Sequence, residues 1–248
     1  MLMSKSVKIL SFIVFELILY FSFLYIDIFD NKYFEMSSIL KFIGIVGCFC
    51  YVLFLLENNN PQYTYLVRGA LFFTVISDIF LLLTNESEKG VFTFCIVQGI
   101  YRYYLWSINK QEFKKEDKFT FLYLPNIMIG FLVLTIMYFL SMPLNILLGI
   151  TIFYFVSIVI NVIAAIKTAI LIRDGSTVIF AVGMVLFLFC DINVGIFNIA
   201  DFLIIDSSIF NGIYEFSTIG MWLFYLPAQV LLALSLSFKN NGEKSLEI

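Results

Sequence analysis

Eight apolar runs of about twenty residues, separated by short charged or Asn/Pro-rich breaks, dominate this sequence. A bilayer's hydrocarbon core takes about 20 apolar residues of α-helix to cross. Spans are expected near residues 7–26, 38–56, 63–84, 90–108, 120–140, 143–172, 177–199 and 214–237. The chain is 61% hydrophobic and 13% charged, against about 45–50% and about 25% in a soluble domain. The expected fold is all-α: a polytopic membrane helix bundle of about eight helices, forming one integral membrane domain over residues 1–248.

The breaks are sharp at Glu57 to Pro61, at Asn85 to Lys89 and at Asn109 to Lys118. Ser141-Met142-Pro143 reads as a tight turn, with Pro143 suited to a helix start. Arg173-Asp174-Gly175 closes the sixth helix, and Ala200 to Gly212 is the longest outer-loop candidate. With the N-terminus inside, the inner segments carry nine cations: Lys5, Lys8, Lys110, Lys114, Lys115, Lys118, Arg173, Lys239 and Lys244. The outer segments carry two, Lys32 and Lys89. This bias puts both termini in the cytoplasm and requires an even number of spans. The first apolar run lacks a small-residue cleavage site, so it reads as a retained helix and not a signal peptide.

Two aspartates interrupt apolar helices in similar settings, Asp78 in FFTVISDIFLLLTN and Asp191 in LFLFCDINVGIFN. A carboxylate costs roughly 2.5–3.5 kcal/mol at a membrane centre on insertion scales, so it marks a cavity and a function. Asn85 and Asn198 each follow seven residues later, about two turns on, on the same expected face. The next helices carry Phe94-Cys95-Ile96-Val97-Gln98 and Tyr225-Leu226-Pro227-Ala228-Gln229. This likeness suggests parallel half-repeats, 1–118 and 119–248, although short apolar motifs also match by chance.

Both aspartates lie about sixteen residues into outward-running helices and so at one depth. Gln98, Tyr101, Arg102 and Leu105 share a face at i, i+3, i+4 and i+7. Glu215, Trp222 and Gln229 form a heptad stripe beside Tyr225, and Lys41 enters from the outer end of helix two. Together these residues outline a polar pocket in the outer half of the membrane. Plainer readings stand beside it. An aspartate can stay neutral and tie helices together. Arg102 and Lys41 can snorkel to the interface. Gln98 and Gln229 can be interhelical hydrogen-bond glue, and Glu16 either pairs with a cation or stays protonated. Asn193 falls about 200° around the helix from Asp191, outside the pocket. Tyr103, Tyr104 and Trp106 read as an interfacial belt.

The chain has no histidine, which removes imidazole metal ligands, Ser–His–Asp triads and imidazole proton relays. Cys48, Cys50, Cys95 and Cys190 all fall within spans and read as apolar thiols, with no metal site or cofactor motif. No basic patch interleaved with aromatics points to nucleic acid.

The run from Gly69 to Leu82, with its Ser77-Asp78, the segment Phe94 to Tyr101, Gly183 to Asp191 and the Tyr225-x-x-x-Gln229 helix resemble the core motifs of the YhhN family. Lys41-Phe42 stands where that family has Lys-Pro. The resemblance implies an eight-helix, lysoplasmalogenase-like membrane enzyme that cleaves the vinyl-ether bond of lysoplasmalogens to a fatty aldehyde and a glycerophospho-base. It implies that Asp78 and Asp191 are the catalytic pair. It also implies a lysophospholipid substrate; the residues expected to meet it, read from their spacing and depth, are Lys41, Gln98, Tyr101, Arg102, Tyr225, Gln229, Asn85 and Asn198. Gln98 stands where the family often has His, Cys190 where it has Ser, and Phe42 where it has Pro.

The chemistry suits two carboxylates. A vinyl ether hydrolyses by protonation at its β-carbon to an oxocarbenium ion, and water addition then gives a hemiacetal that collapses to aldehyde and alcohol. One carboxyl must donate the proton while the other stays ionised, a division that two nearby carboxylates favour. Lys41 or Arg102 is expected to meet the substrate phosphate. Two other classes fit the same residues: a transporter or channel coupling protons or cations through the aspartates, and a non-catalytic lipid-binding membrane protein.

Overall fold

The structure is a computed structural model that describes residues 4–29, 33–55, 61–84, 86–113, 124–139, 146–199 and 208–238. Among these residues the regular structure is entirely helical, as lipid demands of a chain that must bond its own backbone. Eight α-helices follow in order: α1 Lys5–Phe29, α2 Phe34–Cys50, α3 Pro61–Asp78, α4 Ser87–Phe113, α5 Leu124–Phe139, α6 Ile146–Ile172, α7 Gly175–Ile199 and α8 Ser208–Leu234. Six described helical stretches are long and apolar enough to cross a membrane by length and composition. The exceptions are α4, which carries Gln98 and Arg102, and α5, with sixteen described residues. The Ser141–Pro143 turn lies outside the described residues. The expected loop over 200–212 ends earlier than its composition suggested, because Ser208 already starts α8.

Register shows why α5 must cross. Phe94 meets Tyr154, Gln98 meets Asn161 and Asn109 meets Thr168, so α4 and α6 run parallel. The chain between them has to return through the thickness of the bundle, and sixteen helical residues of α5 cover about 24 Å of it.

Neighbour contacts close a ring in the order α1, α2, α3, α4, α6, α7, α8 and back to α1, with α5 packed outside on α6. α8 also reaches α2 and α3, and 56% of its apolar window is buried, against 28–39% in the other spans. Side chains on α8 are therefore the ones best placed to meet several helices. Close approach of α7 depends on Gly183, where an added Cβ would lie 3.0 Å from Leu232 and 3.2 Å from the Ala228 carbonyl.

Three local departures from α geometry shape the interior. Pro227 inside α8 has no N–H for the Leu223 carbonyl, and Tyr20 of α1 donates its hydroxyl to that oxygen at 3.0 Å. π-helical turns follow α2 at Tyr51–Leu55 and α3 at Ile79–Leu83. Arg68 of α3 donates to the carbonyls of Val52 at 2.9 Å and Leu53 at 3.1 Å within the first of them. The second begins immediately after Asp78, the kind of local widening that recurs at functional sites. Between α6 and α7, Arg173 takes φ 57° as a left-handed cap, its N–H on the Ala169 carbonyl.

Candidate active site

Asp78 ends the α-helical part of α3 and is 3% exposed. Its carboxylate accepts the Tyr225 hydroxyl of α8, 3.0 Å from Oδ1 and 2.8 Å from Oδ2. Asp191, partly buried in α7, accepts the Tyr154 hydroxyl of α6 on Oδ2 at 2.7 Å. Each acid is thus held by a phenol from another helix.

The two pairs share one aromatic layer. The Phe94 ring of α4 lies 5.8 Å from Tyr154, 6.4 Å from Tyr225 and 5.8 Å from Phe187, centroid to centroid. Phe187 in turn lies 5.7 Å from Tyr225. Cys190, next to Asp191 in the chain, is a buried free thiol. The arrangement is two hydrogen-bonded acids joined by apolar ring faces, in low-dielectric surroundings that strengthen charge interactions.

A cation stands at one side of this layer. Lys41 of α2 is 5% exposed and lies 2.8 Å from Asp27 of α1, whose other oxygen accepts the Ser37 hydroxyl at 2.5 Å. Its ammonium also sits 5.0 Å from the Trp222 ring, which packs edge-on at 5.2 Å against Tyr225. Lys41 is therefore buried beside the aromatic layer and already paired.

One turn along α4 from Phe94 lies a second polar cluster. Asn161 of α6 donates to the backbone carbonyl of Gln98 at 2.9 Å and to its Oε1 at 2.8 Å. The Asn161 Oδ1 accepts from Arg102 Nε at 2.7 Å, while Arg102 Nη2 reaches the Ser157 carbonyl at 3.4 Å. Arg102 does not snorkel; it is buried between α4 and α6. Gln98 does tie two helices together, as glue between α4 and α6.

The remaining expected residues divide. Tyr101 is fully buried against Phe180, and its hydroxyl has no hydrogen-bond partner. Gln229 is fully buried one turn beyond Tyr225, and neither side-chain polar atom is bonded. Asn85 lies outside the described residues. Asn198 does not join the site: it is exposed and donates to the Val194 carbonyl of its own helix, so it needs no partner across the bundle. Glu215 of the heptad stripe is exposed. Asn193 packs at the α7–α8 contact, bonded to the Phe189 carbonyl and against Gly220, away from the acids as its helix phase suggested. Tyr104 and Trp106 are buried and not part of an interfacial belt; Tyr104 packs 4.7 Å from Phe180 and 5.7 Å from Tyr63. Glu16 is buried with no partner on either oxygen.

Three site residues escaped the sequence reading: Tyr154, Asn161 and Asp27. A signal existed for the first two. Tyr154, Ser157, Asn161 and Thr168 fall at i, i+3, i+7 and i+14, a polar stripe along one face of an otherwise apolar α6. Asp27 carried no such signal, since it sits near a helix end where charge is ordinary. A surface depression lined by Phe80, Glu88, Lys89, Phe92 and Thr93 lies at the α3–α4 end and contains neither carboxylate. Among the described residues no cluster of three or more His, Cys, Asp or Glu side chains could hold a metal ion.

Comparison with known proteins adds the family. The chain matches the model of the YhhN family over residues 36–236, well over half its length, and belongs to that family. Asp78, Asp191, Tyr154, Tyr225, Lys41 and Arg102 all fall within the match, whereas Glu16 and Asp27 precede it. No curated protein and no solved structure matches the chain.

Proposed function

We propose that this member of the YhhN family is a membrane-embedded, lysoplasmalogenase-like hydrolase that cleaves the vinyl-ether bond of a lysophospholipid. The observation that carries the reading is the pair of intramembrane carboxylates, each held by a phenol and joined through Phe94. Family membership gives the reaction class its support.

The two acids differ in a way that divides the work. Tyr225 engages both oxygens of Asp78, whereas Tyr154 engages only Oδ2 of Asp191. Asp191 Oδ1 is the oxygen left to carry a proton to the β-carbon of the alkene. Asp78 stays ionised and faces the oxocarbenium ion that results, assisted by the ring faces of Phe94 and Phe187. Water then adds to the cationic carbon and gives its proton to a carboxylate. The hemiacetal breaks its bond to the glycerol oxygen, which takes a proton, and the aldehyde leaves. The net change is one water consumed, one aldehyde and one glycerophospho-base formed. No redox partner is required.

Detergent-purified protein incubated with a lysoplasmalogen should release fatty aldehyde, seen by mass spectrometry, and leave the ester lysophospholipid intact. A second reading is coupled transport, favoured by one observation: Glu16 is a further buried intramembrane carboxylate without a partner. Substrate-dependent ion flux in proteoliposomes without aldehyde would select that reading.

A further inference from the structure

Arg102 is a buried cation with, among the described residues, no carboxylate in salt-bridge contact and with Nη1 unbonded. An unpaired charge in an apolar interior is costly and marks a binding partner. A second unbonded donor stands beside it. Asn161 donates its amide to Gln98 Oε1, which fixes the Gln98 side chain and leaves Gln98 Nε2 without a partner. Because the same Asn161 accepts from Arg102 Nε, the two free donors are held together around one side chain. Both residues are more than nine-tenths buried, at 4% and 1% exposure. The cluster thus holds two unbonded N–H donor groups and one positive charge in the interior of the bundle.

We propose that Arg102 Nη1 and Gln98 Nε2, oriented by Asn161, bind a phosphate group, and that in use this is the phosphate of the lysolipid. A guanidinium fork and an amide are the donors such an oxyanion takes. Position fits as well. Gln98 is one turn, about 6 Å, from Phe94 in the aspartate layer, and side chains on a helix lean toward its N-terminus, so Arg102 leans toward that layer. The three-carbon glycerol backbone of a lysolipid spans such a gap. Lys41, the other candidate cation, is already matched by Asp27 and contributes no comparable free charge. Asn161 is thus a positioning residue and touches no reacting atom.

The substrate named here rests on the hydrolase reading, but the test does not use turnover. Full-length protein in detergent is titrated with ester lysophosphatidylethanolamine and with a monoacylglycerol of the same chain, and bound lipid is read by native mass spectrometry. Wild-type protein should prefer the phosphate-bearing lipid at least tenfold. Arg102→Gln should lose that preference by about tenfold to a hundredfold while binding monoacylglycerol as before. Arg102→Lys should keep part of it, and Asn161→Ala should weaken it. Displacement of the lysolipid by millimolar inorganic phosphate would support the site and assign it to free anion; failure of phosphate to compete supports the lipid source. Equal wild-type binding of the two lipids, which needs no variant, overturns the proposal, as does an undiminished preference in folded Arg102→Gln. Arg102-dependent binding without aldehyde release would defeat the hydrolase reading and leave this one standing.

Discussion

Tyr225 donates its hydroxyl to Asp78 across 147 residues of sequence, 2.8 Å from Oδ2 and 3.0 Å from Oδ1. The bond ties α8 to the end of α3 and gives a buried carboxyl group a partner where lipid-like surroundings supply none. A hydrogen bond to a charged group is worth about 1.5–3 kcal/mol. Tyr225→Phe should therefore lower turnover by about tenfold to a hundredfold, with the protein still folded by circular dichroism. Tyr154→Phe should act similarly through Asp191. Wild-type rates in both folded variants would remove the tyrosines from the mechanism.

Protonation at carbon leaves an isotopic mark. In D2O the aldehyde, trapped at once by borohydride reduction, should carry one deuterium at the carbon next to the former carbonyl. Mass spectrometry of the alcohol checks this. Product without that deuterium would mean that the bond breaks by another route.

The Tyr20–Pro227 relationship predicts a rescue. Tyr20→Phe strips the Leu223 carbonyl of its donor and should cost about 1–3 kcal/mol. Adding Pro227→Ala restores an N–H four residues on and should recover most of that loss. Thermal unfolding of the four proteins forms the cycle, and strictly additive effects would refute the link.

Glu16 occupies the space beside Gly44 and Gly47 of α2, where a Cβ on Gly47 would overlap its carboxylate. Gly47→Ala should destabilise the α1–α2 contact. Glu16→Met removes an unbonded buried carboxylate and should stabilise by about 1–3 kcal/mol. A lower melting temperature for Glu16→Met would show that the carboxylate has a favourable partner.

The parallel register of α4 and α6 predicts that α5 crosses between them. Reporters fused after residues 118 and 142 should read opposite sides of the membrane. The same side for both would mean that α5 does not cross.

Much of this was legible in the residues. Hydropathy placed all eight helices because lipid leaves the backbone few choices, and the start of α8 falls earlier than expected because polar residues enter the helix there. The aspartates stood out because charge in apolar sequence is rare. Tyr154 and Asn161 did not, since a tyrosine or asparagine within a span is unremarkable until its neighbour is known. Asn198 misled because seven-residue spacing reports a shared face but not whether another helix covers that face. Tyr104 misled because an aromatic near a helix end suits an interface and a core equally well.

The most direct measurement is aldehyde release from a lysoplasmalogen by purified wild-type protein beside Asp78→Asn and Asp191→Asn. Wild type should form aldehyde from the vinyl ether alone, and each folded variant should fall to background. Wild-type rates in either folded variant would contradict the two-carboxylate mechanism, and no aldehyde from folded wild-type protein would contradict the hydrolase assignment itself.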